Sequence, residues 1–158
     1  MTQRPEMIRR PNLLRSKVGG SFGGIDAAAV ARAEEALKAL SSQFGQWLQD
    51  EMVKLEAAET AIRNEGYNAQ TADSLYMRAH DLKGLGTTYE YPLVTRIAGS
   101  LCRLMDNAGQ RLNAPWPLVE AHISAIRAIV RDKIQAEDHP VGRELAEALE
   151  AEVRLLQA

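Results

Sequence analysis

The sequence predicts an all-α protein, and three observations predict it. Aromatic residues make up only 5% of the 158, whereas alanine and leucine abound; strands lean instead on β-branched and aromatic side chains. Apolar residues recur three or four apart over long stretches, the spacing that gathers them on one face of a helix. No stretch alternates apolar with polar residues in the manner of a strand, and no internal repeat is visible. The expected architecture is an antiparallel four-helix bundle with an N-terminal arm and helix extension and a further C-terminal helix. With 46% apolar and 25% charged residues, a chain of 158 suits one soluble domain with a proper core.

Residues 1–25 hold Pro5, Pro11 and "GGSFGG" from Gly19 to Gly24, a composition that reads as a flexible arm preceding a bundle domain over 26–158. Asp26 is a plausible N-cap for the first helix. Its apolar residues then recur at Leu37, Leu40, Phe44, Leu48, Met52, Leu55, Ala58 and Ile62. Unbroken to residue 65, that helix would be about 60 Å long, so a kink or break is expected near Ser41, Ser42 or Gly45. "NEGYNAQTAD" supplies a turn, with Gly66 as C-cap and Asn68 or Thr71 as the next N-cap. The second helix is expected over 71–89. The third starts at Pro92, a residue the first turn tolerates, and runs to about Asn107. "NAGQRLNAPWP" separates it from a fourth over about 116–135, striped by Val119, Ile123, Ile126, Val130 and Ile134. His139-Pro140 opens a last helix carrying Leu145, Leu149, Val153 and Leu156.

Charge and cysteine usage narrow the function classes. The net charge is −2, which points to neither nucleic acid nor a membrane surface as partner. The arm is basic, with Arg4, Arg9, Arg10, Arg15 and Lys17 against Glu6, a net of +4, and the remainder carries −6. Cys102 is the one cysteine, so no internal disulfide and no cysteine metal cluster forms. No run of eighteen apolar residues is present, and the first residues lack the apolar core of a secretory signal. A cytoplasmic location is the expectation.

The stretch "YMRAHDLKGLGTTYEYP", Tyr76 to Pro92, carries the chemistry. On a wheel of about 100° per residue, Leu75, Ala79, Leu82, Gly86 and Tyr89 form the core stripe, with Leu85 at its edge. His80 lies roughly 140° from the middle of that stripe and is therefore expected in solvent. Tyr76, Lys83, Gly84 and Thr87 fall within about 60° of it, and Arg78 near the apolar side has to snorkel. Neutral imidazole is a good nitrogen nucleophile near neutral pH and attacks phosphoryl groups. Phosphoryl transfer depends chiefly on positioning and on neutralising charge over the equatorial oxygens, which Lys83 one turn on can do. Glycine costs about 1 kcal/mol inside a helix, so Gly84 and Gly86 ask for a reason. Clearance for another protein's active site beside the acceptor is such a reason for Gly84.

His80-Asp81-Leu82-Lys83-Gly84 resembles the signature of histidine-containing phosphotransfer (HPt) domains, in which histidine is followed by x-Leu-Lys-Gly on an exposed helix of a four-helix bundle. The likeness extends more weakly through Leu93, Ile97, Ala98 and Leu101, and the rest of the chain agrees in helical layout. Carried onto these positions, the resemblance implies that His80 is the phosphoacceptor, Lys83 the phosphate-contacting cation and Gly84 the clearance for a receiver domain. Tyr76 and Thr87 are expected to line the docking surface. The resemblance further implies a carrier without kinase activity or cofactor of its own. Its partners would be response-regulator receiver domains and a hybrid or separate histidine kinase, with Mg²⁺ held by the receiver. Two positions depart from the family's pattern. Bulky Leu85 follows the Lys-Gly pair where Ser or Ala is usual, and Glu90 stands ten residues after the histidine where glycine is frequent.

Three rival readings use the same residues. His80-Asp81 invites a metal-dependent HD-type phosphohydrolase, which needs further histidines and an aspartate converging on the metal; only His122, expected at the edge of the fourth helix's stripe, and His139 remain. An acidic residue after the histidine also suits a dimeric histidine-kinase phosphoacceptor bundle, but the Thr-Pro expected shortly after is replaced by Lys83-Gly84. The third is an HPt-like adaptor that docks receivers without carrying phosphate.

Overall fold

A computed structural model of the protein describes residues 24–158, with side chains from Asp26 onward. Every element among the described residues is helical: α1 (Gly24–Glu65), α2 (Ala69–Leu85), α3 (Pro92–Met105), α4 (Trp116–Arg131) and α5 (Pro140–Gln157), with a 3₁₀ turn at Arg111–Asn113. The predicted fold class is therefore observed. The arm, apart from Gly24 and Ile25, which already belong to α1, lies outside the described residues.

The chain divides into two compact units, one ending at Ala39 and the other spanning Leu40–Ala158. In the first, residues 27–39 are helical and exposed, and Val30 and Leu37 leave 53% and 65% of their surface in solvent. Two expectations for α1 need correction. The expected break is absent: helical hydrogen bonding continues through Ser41, Ser42 and Gly45, because neither serines nor one glycine remove the backbone N–H that a proline would. Asp26 is not the N-cap but an acid of the first turn, where its charge still suits the helix dipole.

In the second unit, α1 from Leu40, α2, α3 and α4 alternate in direction. Glu56 and Glu59 of α1 bond Arg127 of α4, while Arg63 further along α1 reaches Glu120, nearer the start of α4. Tyr76 of α2 reaches Asp106 at the far end of α3, and Thr87 beyond α2 reaches Thr95 near its start. Leu48, Met52, Leu55, Leu75, Leu82, Leu93, Ile97, Leu101, Ile123 and Ile126 fill the core. Each such side chain contributes about 1.5–3 kcal/mol when taken from water. The fifth helix runs parallel to α3: Arg96 makes a two-pronged bond to Glu150, and seven residues on in both helices Gln157 Nε2 donates to the Arg103 carbonyl.

The turns show why the elements begin and end where they do. Gly66 takes a φ of +89°, and its N–H reaches the Ile62 carbonyl to close α1. Asn68 caps α2 in a reciprocal pair with Thr71: each side chain accepts from the other's backbone N–H. At the other end α2 stops at Leu85, four residues short of the expected Tyr89. Gly86 lies against α3 so tightly that a β-carbon there would sit 2.6 Å from the Thr95 backbone nitrogen. Glu90 then turns left-handed at φ 68°, and Pro92 starts α3. Tyr89 is half-buried, packed against Phe44 and Trp47 of α1 with ring centroids 5.6 and 5.9 Å away. The fourth helix likewise ends earlier than expected, at Arg131, just before Lys133 takes a φ of 53°.

Candidate functional site

The capping pair at Asn68 and Thr71 sets the rotation of α2, and Leu75, Ala79 and Leu82 then bury its inner face completely. That rotation leaves His80, Lys83 and Gly84 exposed, as the helical wheel requires. Arg78 is half-buried and reaches out to Asp81 at 3.6 Å, the snorkelling its position demanded.

The chain's three histidines occupy different environments. His122 is fully buried, so it belongs to the core and not, as expected, to the edge of the α4 stripe. The Leu118 carbonyl can only accept, so Nδ1 carries the proton and donates to it at 2.7 Å. Nε2 is then the acceptor, and the Ser100 hydroxyl donates to it at 2.9 Å. Burial holds this imidazole below its ordinary pKa, so it stays neutral. His139 is the N-cap of α5, its Nδ1 accepting from the Gly142 N–H at 3.2 Å. By contrast His80 has no hydrogen-bond partner for either ring nitrogen among the described residues, and its nearest aromatic neighbour is Tyr76, with centroids 6.2 Å apart.

His80 opens onto a cleft of about 580 Å³ between α2 and α5, floored by α3. Lys83 lies along its edge: a β-carbon on Gly99 of α3 would meet the Lys83 alkyl chain at 3.9 Å. The same lysine sits in the last turn of α2, where a cation also suits the helix dipole. Arg96 and Arg103 join it from α3. Glu150 of α5 accepts both prongs of Arg96, and Asp106 accepts the Tyr76 hydroxyl, whereas Lys83 and exposed Arg103 form no ion pair among the described residues. The bond to Asp106 also raises the Tyr76 phenol above its usual pKa. Cys102 lines the floor, and burial pushes its thiol up to about 11, so it is no nucleophile at neutral pH.

The two glycines answer their question differently. Gly86 serves the α2–α3 packing described above. A β-carbon at Gly84 would meet nothing within 4 Å, so no contact among the described residues requires glycine there.

Of the residues singled out in the sequence, His80, Lys83 and Tyr76 line one cleft, and Gly84 is exposed one turn on from His80. Thr87 does not line it. It lies past the end of α2, and both its N–H and its hydroxyl bond Thr95 Oγ1, at 2.7 and 3.1 Å. The sequence reading missed the residues that α3 and α5 contribute. For α3 a signal was present, because Arg96, Gly99, Arg103 and Asp106 recur at helical spacing as a polar stripe on an otherwise apolar helix. For Glu150 and Val153 none was, since nothing local places α5 beside α2. No group of three or more His, Cys, Asp or Glu among the described residues is arranged to hold a metal ion. Nor, among these residues, is any helix long and apolar enough to cross a membrane.

Comparison with protein-family models found no match to this chain, and neither did comparison with curated proteins or with solved structures.

Proposed function

We propose that this chain is a histidine phosphotransfer protein of the HPt type, a phosphoryl carrier without kinase activity of its own. The observation that carries the reading is the state of His80. Among the described residues its ring is exposed and unbonded, one turn from Lys83 and from Gly84, whose β-carbon position meets nothing within 4 Å, while His122 and His139 are committed to the fold. An unprotonated nitrogen of neutral His80 attacks the phosphorus of a receiver's aspartyl phosphate. The N–P bond forms as the acyl-phosphate P–O bond breaks, and the receiver aspartate departs as carboxylate. The proton on the other ring nitrogen stays on the phosphoimidazolium or passes to water. Lys83 offsets charge on the equatorial oxygens, and the reverse step loads a second receiver. The Mg²⁺ that such transfers use belongs, on this reading, to the receiver.

The test exposes the protein to a receiver carrying labelled phosphate. Wild type is expected to take up label in an acid-labile, base-stable form, and His80→Gln to take up none. Binding to the receiver without any label uptake would make the chain an adaptor. Labelling by ATP alone would instead show a kinase-type phosphoacceptor bundle.

A further inference from the structure

Tyr76 and His80 stand one turn apart on α2, the spacing at which side chains meet on a helix surface. A half-exposed tyrosine in such a pair is ordinarily free to swing. This one is anchored twice. The Arg111 guanidinium lies over its ring, with Cζ 3.9 Å from the centroid, and its hydroxyl donates to Asp106 Oδ1 at 2.9 Å. Arg111 is itself fixed: the residue is buried, Nε donates to the Met105 carbonyl at 2.8 Å and Nη1 to Asp73 at 2.6 Å. Its own carbonyl accepts the Tyr67 hydroxyl at 2.8 Å, which pins the 3₁₀ turn to the α1–α2 junction. Arg111 therefore approaches Tyr76 from the Asp73 side, and His80 lies one turn in the other direction along the helix. The Tyr76 and His80 rings are tilted by 42°, within the range of favourable aromatic pairs.

We propose that Tyr76 is a positioning residue for His80: its ring, clamped by Arg111 and Asp106, sets the orientation of the imidazole that receives phosphate. This inference rests on the carrier role for its kinetic consequence. An acceptor nitrogen has to keep its lone pair free, and neither His80 nitrogen is bonded among the described residues. Packing against a fixed flat ring limits the imidazole's rotation without engaging either nitrogen. The assignment gives Tyr76 a role beside the docking one expected for it, with its hydroxyl and part of its ring engaged by its own chain.

Two readouts on wild type, Tyr76→Leu, Tyr76→Phe and Asp106→Ala decide it. The first needs no receiver: side-chain coupling constants of His80 report whether its χ1 is fixed or averaged. The second separates the maximal transfer rate from the receiver concentration at half-saturation. Tyr76→Leu is expected to average χ1 and to lower the maximal rate about tenfold, with half-saturation unchanged. Tyr76→Phe keeps the ring and is expected to recover most of the rate, and Asp106→Ala to give a smaller loss of the same kind. A Tyr76→Leu protein with χ1 still fixed, or altered only in half-saturation, overturns the proposal. If Tyr76→Leu fails to fold, Asp106→Ala, at an exposed position, decides by the same two readouts. Absence of label on wild type defeats the carrier reading alone, since the coupling constants still report whether Tyr76 holds the ring.

Discussion

His80, His122 and His139 carry the same ring, and their surroundings divide its uses. Exposure, and ring nitrogens unbonded among the described residues, suit His80 to chemistry, while two hydrogen bonds and full burial tie His122 to structure. The second assignment has a pH signature. Because burial lowers the folded pKa of His122, the unfolded chain takes up a proton at a higher pH than the folded chain does. Stability should therefore fall as pH drops through about 6.5 and level off once the lower folded value is passed. In urea titrations from pH 7.5 to 5, His122→Gln should flatten that slope; equal slopes in the two proteins would contradict the assignment. Gly84 makes the complementary case. With open space at its β-carbon, Gly84→Ala should raise stability by about 1 kcal/mol, whereas Gly84→Leu should slow phosphoryl uptake while the protein stays folded. A loss of stability in Gly84→Ala would mean that the fold itself needs the glycine.

The link between α2 and α3 shows how far sequence reasoning reaches at the scale of elements. The existence and faces of both helices follow from apolar spacing, and Asn68, Gly66 and Pro92 mark three of the boundaries where capping chemistry puts them. The end of α2 was misplaced because the deciding terms are not local. Gly86 stops mattering as a helix residue and starts mattering as a contact with Thr95, nine positions away. Glu90 takes the left-handed conformation that glycine adopts most easily. Glu90→Gly should therefore stabilise the protein by about 1 kcal/mol. Gly86→Ala should cost about 2 kcal/mol, since a backbone nitrogen cannot give way as a side-chain tip can. Thermal and urea unfolding of the two variants checks both signs.

For the molecule as a whole, the core cluster begins at Leu48 and lies within the unit that spans Leu40–Ala158. A fragment starting at Leu40 should accordingly unfold cooperatively and still take up label on His80; a fragment without a cooperative transition would show that the earlier residues complete the core. Fold class, helix order and the exposed His80–Lys83 face were legible in the sequence because each depends on spacing within one helix. The cleft was not, because it needs α5 laid parallel to α3, an arrangement held by Arg96–Glu150 and by Gln157 on the Arg103 carbonyl. No local pattern announces a pair of contacts 54 residues apart.

A phosphoryl carrier is defined by where the phosphate goes. The protein is mixed with a phosphorylated receiver, separated at alkaline pH and digested, and the modified peptide is sequenced by mass spectrometry. The phosphate is expected on His80 and lost after brief acid treatment. Phosphate on any other residue, or an unmodified chain from a receiver shown to bind it, would contradict the account.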